Sequence, residues 1–237
     1  MHTTFKGCVS TEFGITCDRV SVRELLINIV KLNLDTLISH CPTMQLQIQS
    51  RKYTPEEYLE IEAQAEYKSE YHDGEIVPIT GETTNHNEIC LNLAANLKFG
   101  LKKQNCRVYI GEVRLWIPRY RVYTYPDVIV IKGNPIYADK RTTTVTNPIL
   151  IAEVLSKSTQ NYDQGDKFNY YRSISEMEEY ILISQKQPRI MQYTKTQEEK
   201  WLLSEYEAED SVIQLVSVDF AIELSEMYTG VDFNEAE

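Results

Sequence analysis

The sequence predicts an α/β protein in which a mixed β-sheet is flanked by helices. Three observations carry this. Pro126 to Ile131 (PDVIVI) and Ile149 to Leu155 (ILIAEVL) are nearly continuous apolar runs rich in Val and Ile, the pattern of central strands covered on both faces. Helix signals stand on either side of these runs, at Tyr53 to Glu57 and at Gln160 to Ser173, which supplies the covering layers. Over 237 residues the chain is 42% hydrophobic and 25% charged, the mix of a globular protein with a full core rather than a disordered, collagenous or low-complexity one.

The elements follow in order. Residues 1–43 hold Cys8, Cys17 and Cys41, balance four basic against four acidic residues and carry no clear motif. They read as an atypical extension ahead of a domain over 44–237, with Met44 as the natural start. Thr54 is placed as a helix N-cap, Pro55 at the first helical position, and Glu56 and Glu57 complement the positive end of the helix. Glu70 to Thr80 reads as a strand pair around the turn dipeptide Asp73-Gly74. Asn85 is expected to cap a second helix with Glu88 at its third position, and Ile89, Leu93, Leu97 and Leu101 recur at helical spacing. His86 stands at the head of that apolar stripe, as a core or capping histidine or as a substrate contact.

Arg107 to Ile117 alternates like one strand, with Val113, Leu115 and Ile117 on one face and Glu112, Arg114 and Trp116 on the other. After the two apolar runs come a polar helix at about Gln160 to Ser173, a buried strand at Glu179 to Ser184, and a hairpin from Arg189 to Thr194 and Trp201 to Tyr206. No internal repeat is found after residue 50.

Several classes are excluded. Leu25 to Leu34 is interrupted by Asn28, Lys31 and Asn33, too short and polar to span a bilayer, so no membrane partner is expected. Five cysteines without CxxC spacing argue against a disulfide framework or a zinc site, and suit a reduced cytoplasmic chain. There is no GxGxxG or GxxxxGK[ST] loop and no GxSxG elbow, so no nucleotide cofactor is expected. The formal net charge of -11 is unevenly spread. Asn96 to Arg141 holds ten Lys and Arg against three acids, whereas from Thr196 onward one Lys faces twelve acids. An acidic protein with a basic middle is compatible with a phosphate-bearing partner.

Asp127 and Glu153 break the two apolar runs. A carboxylate in a buried strand costs several kcal/mol unless something neutralises it, so each calls for a cation, a metal or a raised pKa. Adjacent central strands would bring both to one edge of the sheet, where two carboxylates suit Mg²⁺. The alternative is a buried ion pair of Asp127 or Glu153 with Lys167 or Arg114. Asp163 and Lys167, four apart on the following helix, share a face, with Tyr170 and Tyr171 one turn on.

In this order the chain carries Tyr-Thr-Pro-Glu-Glu-Tyr-Leu (53–59), Tyr-His-Asp-Gly-Glu-Ile-Val (71–77), Thr-x-x-His (83–86), Tyr-Pro-Asp-Val (125–128), Glu-Val-Leu-Ser-x-Ser-Thr (153–159) and Asp-x-x-x-Lys-x-x-x-Tyr (163–171). The ordered set, spanning about residues 50 to 233, resembles the Uma2 family of restriction endonucleases, also called DUF820 and abundant in cyanobacteria. The resemblance implies a PD-(D/E)xK, restriction-endonuclease-like fold with a divalent metal at the sheet edge. It implies that Asp127, Glu153 and the backbone carbonyl of Val154 hold Mg²⁺, with Mn²⁺ as a substitute, and that Asp127, Glu153 and Lys167 are catalytic. The residue two after Glu153 is Leu155 rather than Lys, so the resemblance moves the lysine role to Lys167.

The implied activity is hydrolysis of DNA phosphodiester bonds. Arg114, Arg119, Arg121 and His86 are the candidate substrate contacts, and Glu75 and Glu112 are candidate additional acids. The alternative is a catalytically inactive nuclease-fold module that binds nucleic acid or a protein partner. A homodimer through the edge hairpin is a further candidate assembly.

Overall fold

The computed structural model describes residues 51–156, 162–208 and 210–234. The extension over 1–43 and the start at Met44 lie outside them. Helix α1 (Pro55–Glu62) begins as expected: Thr54 Oγ1 accepts the Glu57 N–H at 3.2 Å and Glu57 Oε2 accepts the Thr54 N–H at 2.9 Å, a reciprocal capping box. Strands β1 (Ser69–His72) and β2 (Glu75–Pro78) pair antiparallel across Asp73 and Gly74, whose φ values of 42° and 109° fit a tight hairpin turn.

Helix α2 (Thr84–Gly100) corrects one expectation. Its N-cap is Thr83, whose Oγ1 accepts the His86 N–H at 3.1 Å. Asn85 lies inside the first turn and exchanges hydrogen bonds with the backbone of Asp232, at 2.7 Å and 3.1 Å. Two residues of cap-forming type compete here, and a tertiary contact claims the second. The predicted stripe Ile89, Leu93, Leu97 and Leu101 is buried.

The single strand expected over Arg107 to Ile117 is two strands in different sheets. Strand β3 (Cys106–Ile110) ends at Gly111, which takes φ 36° and donates its N–H to Asp127 O at 3.0 Å. The chain then enters β4 (Arg114–Ile117) and β5 (Val122–Thr124). Beyond them lie β6 (Val128–Lys132), β7 (Thr144–Val145) and β8 (Leu150–Leu155). A π-helical turn over Asp163–Lys167 continues into α3 (Phe168–Tyr171), the described part of the expected polar helix. Then come β9 (Glu179–Ser184), the hairpin β10 (Ile190–Lys195) and β11 (Trp201–Tyr206), the ribbon β12 (Val212–Leu215) and β13 (Phe220–Glu223), and α4 (Leu224–Met227).

Among the described residues, five strands form one sheet in the order β2-β1-β5-β4-β7 and six form a second in the order β11-β10-β9-β8-β6-β3. The second is mixed: β8 and β9 run parallel, the remaining neighbours antiparallel. Strict alternation along β6 and β8 feeds two cores. Val128, Val130, Leu150 and Ala152 pack towards α2, while Ile129, Ile131, Ile151 and Leu155 pack with Tyr171, Met177 and Tyr180 on the other face. Each of the Val, Leu and Ile side chains contributes about 1.5–3 kcal/mol by leaving water, so the register of these two strands is tightly specified. No helix among the described residues is long and apolar enough to cross a membrane.

Candidate active site

Asp127 immediately precedes β6, and the antiparallel register Val128 to Ala152 sets it opposite Glu153 in β8. Asp127 N–H donates to Glu153 Oε2 at 3.3 Å, and Val154 N–H donates to Asp127 Oδ2 at 2.8 Å. The Val154 N–H, one strand residue beyond Glu153, thus helps to hold Asp127 in place. His86 Nε2 approaches Asp127 Oδ2 at 3.1 Å, held there because the Thr83 cap fixes the first turn of α2.

Glu153 is 2% exposed. Its Oε1 receives Lys167 Nζ at 3.1 Å and the Tyr171 hydroxyl at 2.5 Å. Lys167 Nζ lies equally 3.1 Å from Asp163 Oδ1, an oxygen that is buried and has no hydrogen-bond donor in good geometry. Both Asp163 and Lys167 sit on the π-helical turn, whose extra residue per turn keeps the two side chains on the inner side. The ion-pair alternative is therefore present as Glu153 with Lys167.

The structure adds Glu70, which the sequence reading passed over. This buried residue of β1 accepts the Thr124 hydroxyl and has Oε2 3.0 Å from His72 Nε2. Nothing in a four-residue strand of a separate sheet signals that its acid faces the same centre. Tyr171, as a hydrogen-bond partner of Glu153, was likewise not foreseen.

The electrostatics are those of a centre short of positive charge. Burial pushes Glu153 well above the usual carboxylate range, and the Asp127 and Asp163 carboxylates add to this against the pull of Lys167. Asp127 lies below its usual value, because the His86 hydrogen bond and charge, Lys167 and the Val154 N–H outweigh burial. Glu70 is brought down to about 2, burial being outweighed by His72, Lys167 and Thr124. Burial disfavours charge on Lys167, yet Glu153, Asp163 and Glu70 together hold its pKa well above the ordinary lysine value. His86 is also raised, with Asp127 overcoming burial.

Four carboxylates with one ammonium and two imidazoles against them make an anionic centre, and in it the neighbouring Asp127 and Glu153 offer the oxygen donors that suit a hard divalent cation. His86, Cys90 and Asp127 also offer donor atoms within 4.8 Å of one another. Burial pushes the Cys90 thiol far up, and its soft sulfur is a poor donor for a hard divalent cation.

The other predicted residues are elsewhere. Arg114 is a correction: it is 7% exposed, with Nε on Thr144 Oγ1 at 3.0 Å and its guanidinium between the rings of Tyr58, Tyr123 and Tyr125. Strand β4 turns inward after Gly111, so this arginine is a core cation and not a phosphate contact. Arg119 and Arg121 are exposed on the β4–β5 turn, Arg121 paired with Asp73 at 2.9 Å. Glu75 is exposed in β2, and Glu112 is exposed and paired with Lys68 at 2.7 Å. Neither joins the acid centre.

Paired acids at the rim of a helix-covered mixed sheet place the molecule in the nuclease-fold class. It shares its fold with a crystal structure described as "a putative nuclease belonging to DUF820 from Anabaena variabilis ATCC 29413", at a TM-score of 0.63 over 75% of this chain and 98% of that one, with 16% identity. The chain belongs to the Uma2 family, whose model, described as "Putative restriction endonuclease", matches residues 55–225. It is 42% identical over 161 residues to the uncharacterized protein sll1609 of Synechocystis sp., covering 68% of this chain and 91% of the relative. With the uncharacterized protein slr1290 of the same organism it is 32% identical over 198 residues, 83% of this chain and all of the relative.

Proposed function

We propose that this chain is a Mg²⁺-dependent endonuclease that hydrolyses DNA phosphodiester bonds. The observation that supports this best is the placement of Asp127 beside Glu153, with Lys167 Nζ 3.1 Å from Glu153 Oε1. Asp127 and Glu153 are the residues that would hold the metal. When bound, Mg²⁺ lowers the pKa of a coordinated water and clamps phosphate oxygens.

The remaining groups prepare that centre. His86 and the Val154 N–H orient Asp127 and keep it ionised. Tyr171 and Lys167 fix the rotamer of Glu153. Lys167 stays protonated, so its role is to face negative charge as it grows on the phosphoryl oxygens, not to abstract a proton. Arg119 and Arg121, exposed on the β4–β5 turn, are the remaining candidates for backbone phosphates.

Supercoiled plasmid with Mg²⁺ or Mn²⁺ should be nicked by the wild type and left intact by Asp127→Ala and Glu153→Ala. Equal cleavage by the double variant would overturn the proposal.

A second reading, a nuclease-fold module that binds without cutting, is favoured by one observation: the Glu153–Lys167–Tyr171 network already satisfies Oε1 of the second acid. DNA binding with no cleavage under any divalent ion would select it. Cutting both strands would call for a second copy, and β11, an edge of its sheet among the described residues, with Leu202 and Leu203 exposed, is where one would add. A strict monomer in sedimentation at micromolar concentration would remove that assembly.

A further inference from the structure

A row of half-buried rings leads away from the acid centre, and apart from His72, which also holds Glu70, its members take no part in the chemistry above. Lys167 Nζ stands 5.5 Å from the centroid of the Tyr162 ring. Tyr162 meets His72 edge-on at 5.6 Å, and its hydroxyl is 3.3 Å from His72 Nδ1. Tyr170 is 6.4 Å from both of these rings, and Tyr120 follows at 4.9 Å from Tyr170. The row ends at Arg119, whose guanidinium lies 5.8 Å from the Tyr120 centroid. Three separate segments contribute: the end of β1, the β4–β5 turn, and residues 162–170. All four rings keep part of their surface in water.

Packing alone accounts for Tyr120 and Tyr170, which border the core on the Tyr171 side of the sheet. It does not account for Tyr162, which belongs to none of the apolar clusters, or for Arg119; His72 is held by Glu70 Oε2 at 3.0 Å yet keeps part of its surface in water. Among the described residues Arg119 is exposed and has no carboxylate partner, although the chain is rich in acids. A free cation at the outer end of an aromatic row that begins at the catalytic ammonium matches one chemistry. Rings stack on bases whatever their sequence, and arginine holds the phosphate that joins them. The faces of paired bases in a duplex are covered by their neighbours, so a side-on row of rings can accept only unpaired ones.

We infer that Tyr162, His72, Tyr170 and Tyr120, with Arg119, form a platform for unpaired nucleobases, so that the strand reaches the acid centre single-stranded. The assignment rests on the nuclease reading for where the scissile phosphate lies, but its test reads binding alone. With Ca²⁺ in place of Mg²⁺ to hold off cleavage, fluorescence anisotropy compares three labelled probes: a short single strand, the same sequence as duplex, and the same strand with abasic sugars.

The single strand is expected to bind about tenfold tighter than either of the others, the size of a base–aromatic contact or two. Tyr120→Ala should erase that preference and Tyr120→Phe should keep it. Arg119→Ala should weaken all three probes to a similar degree and lower the salt dependence. Equal binding of the three probes by the unmodified protein, or a preference that survives Tyr120→Ala combined with Tyr170→Ala, overturns the platform. Base-dependent binding without cleavage in Mg²⁺ would leave the platform standing and remove the hydrolase.

Discussion

Lys167 is the residue on which the centre depends most. It is 8% exposed and faces Glu153 and Asp163, both buried. Lys167→Met would leave these acids without their cation, and breaking such a buried pair costs about 3–5 kcal/mol. Urea denaturation at neutral pH is expected to show a loss of that size, with cleavage lost as well. Glu70 gives a pH signature. Its folded pKa is lowered to about 2, so the stability it contributes is complete above the unfolded carboxylate value and is lost as pH falls towards 2. Wild type should therefore lose more stability than Glu70→Gln between about pH 4.5 and 2, a difference on the order of 3 kcal/mol at the end of the titration. Parallel limbs for the two proteins in acid denaturation would contradict this. Asp127 and Glu153 are legible as sequence anomalies because each interrupts a run that burial would otherwise fill with Val or Ile. Glu70 is not, since β1 is short, and only tertiary structure tells that its acid turns towards Lys167.

At the scale of the element, local signals work where a single local solution exists. The Thr54 capping box is one such case, and Thr54→Ala should cost about 1 kcal/mol in thermal unfolding, because the Glu57 N–H loses its side-chain acceptor while the backbone bond from residue 54 to Glu57 Oε2 remains. At the head of α2 there are two solutions. Thr83 and Asn85 are both good caps, and Asp232, nearly 150 positions away in sequence, draws Asn85 into a different contact. The Arg107 to Ile117 segment fails for a related reason. Its alternation is continuous, but alternation reports which face a residue takes and not which sheet it joins. Gly111, with its positive φ, carries the chain from one sheet to the other, and this displaces Arg114 from the expected surface into the tyrosine cluster.

At the scale of the whole molecule, the described chain divides its labour between two sheets. The six-stranded sheet supplies Asp127 and Glu153, and the five-stranded sheet supplies Glu70 and His72. Family-level order of motifs captures this better than any local pattern, since it records residues that meet only after folding. Lys167, however, comes from neither sheet. It arrives on a five-residue π-helical turn, a segment that can be altered without touching a strand. Removing Gln164 would convert that turn towards ordinary α geometry and break the four-residue spacing that sets Lys167 beside Asp163. Circular dichroism should then report an unchanged sheet while plasmid cutting stops. The scaffold and its chemistry are in that sense on separate circuits, and a lineage could switch one off, or move it, while inheriting the other intact.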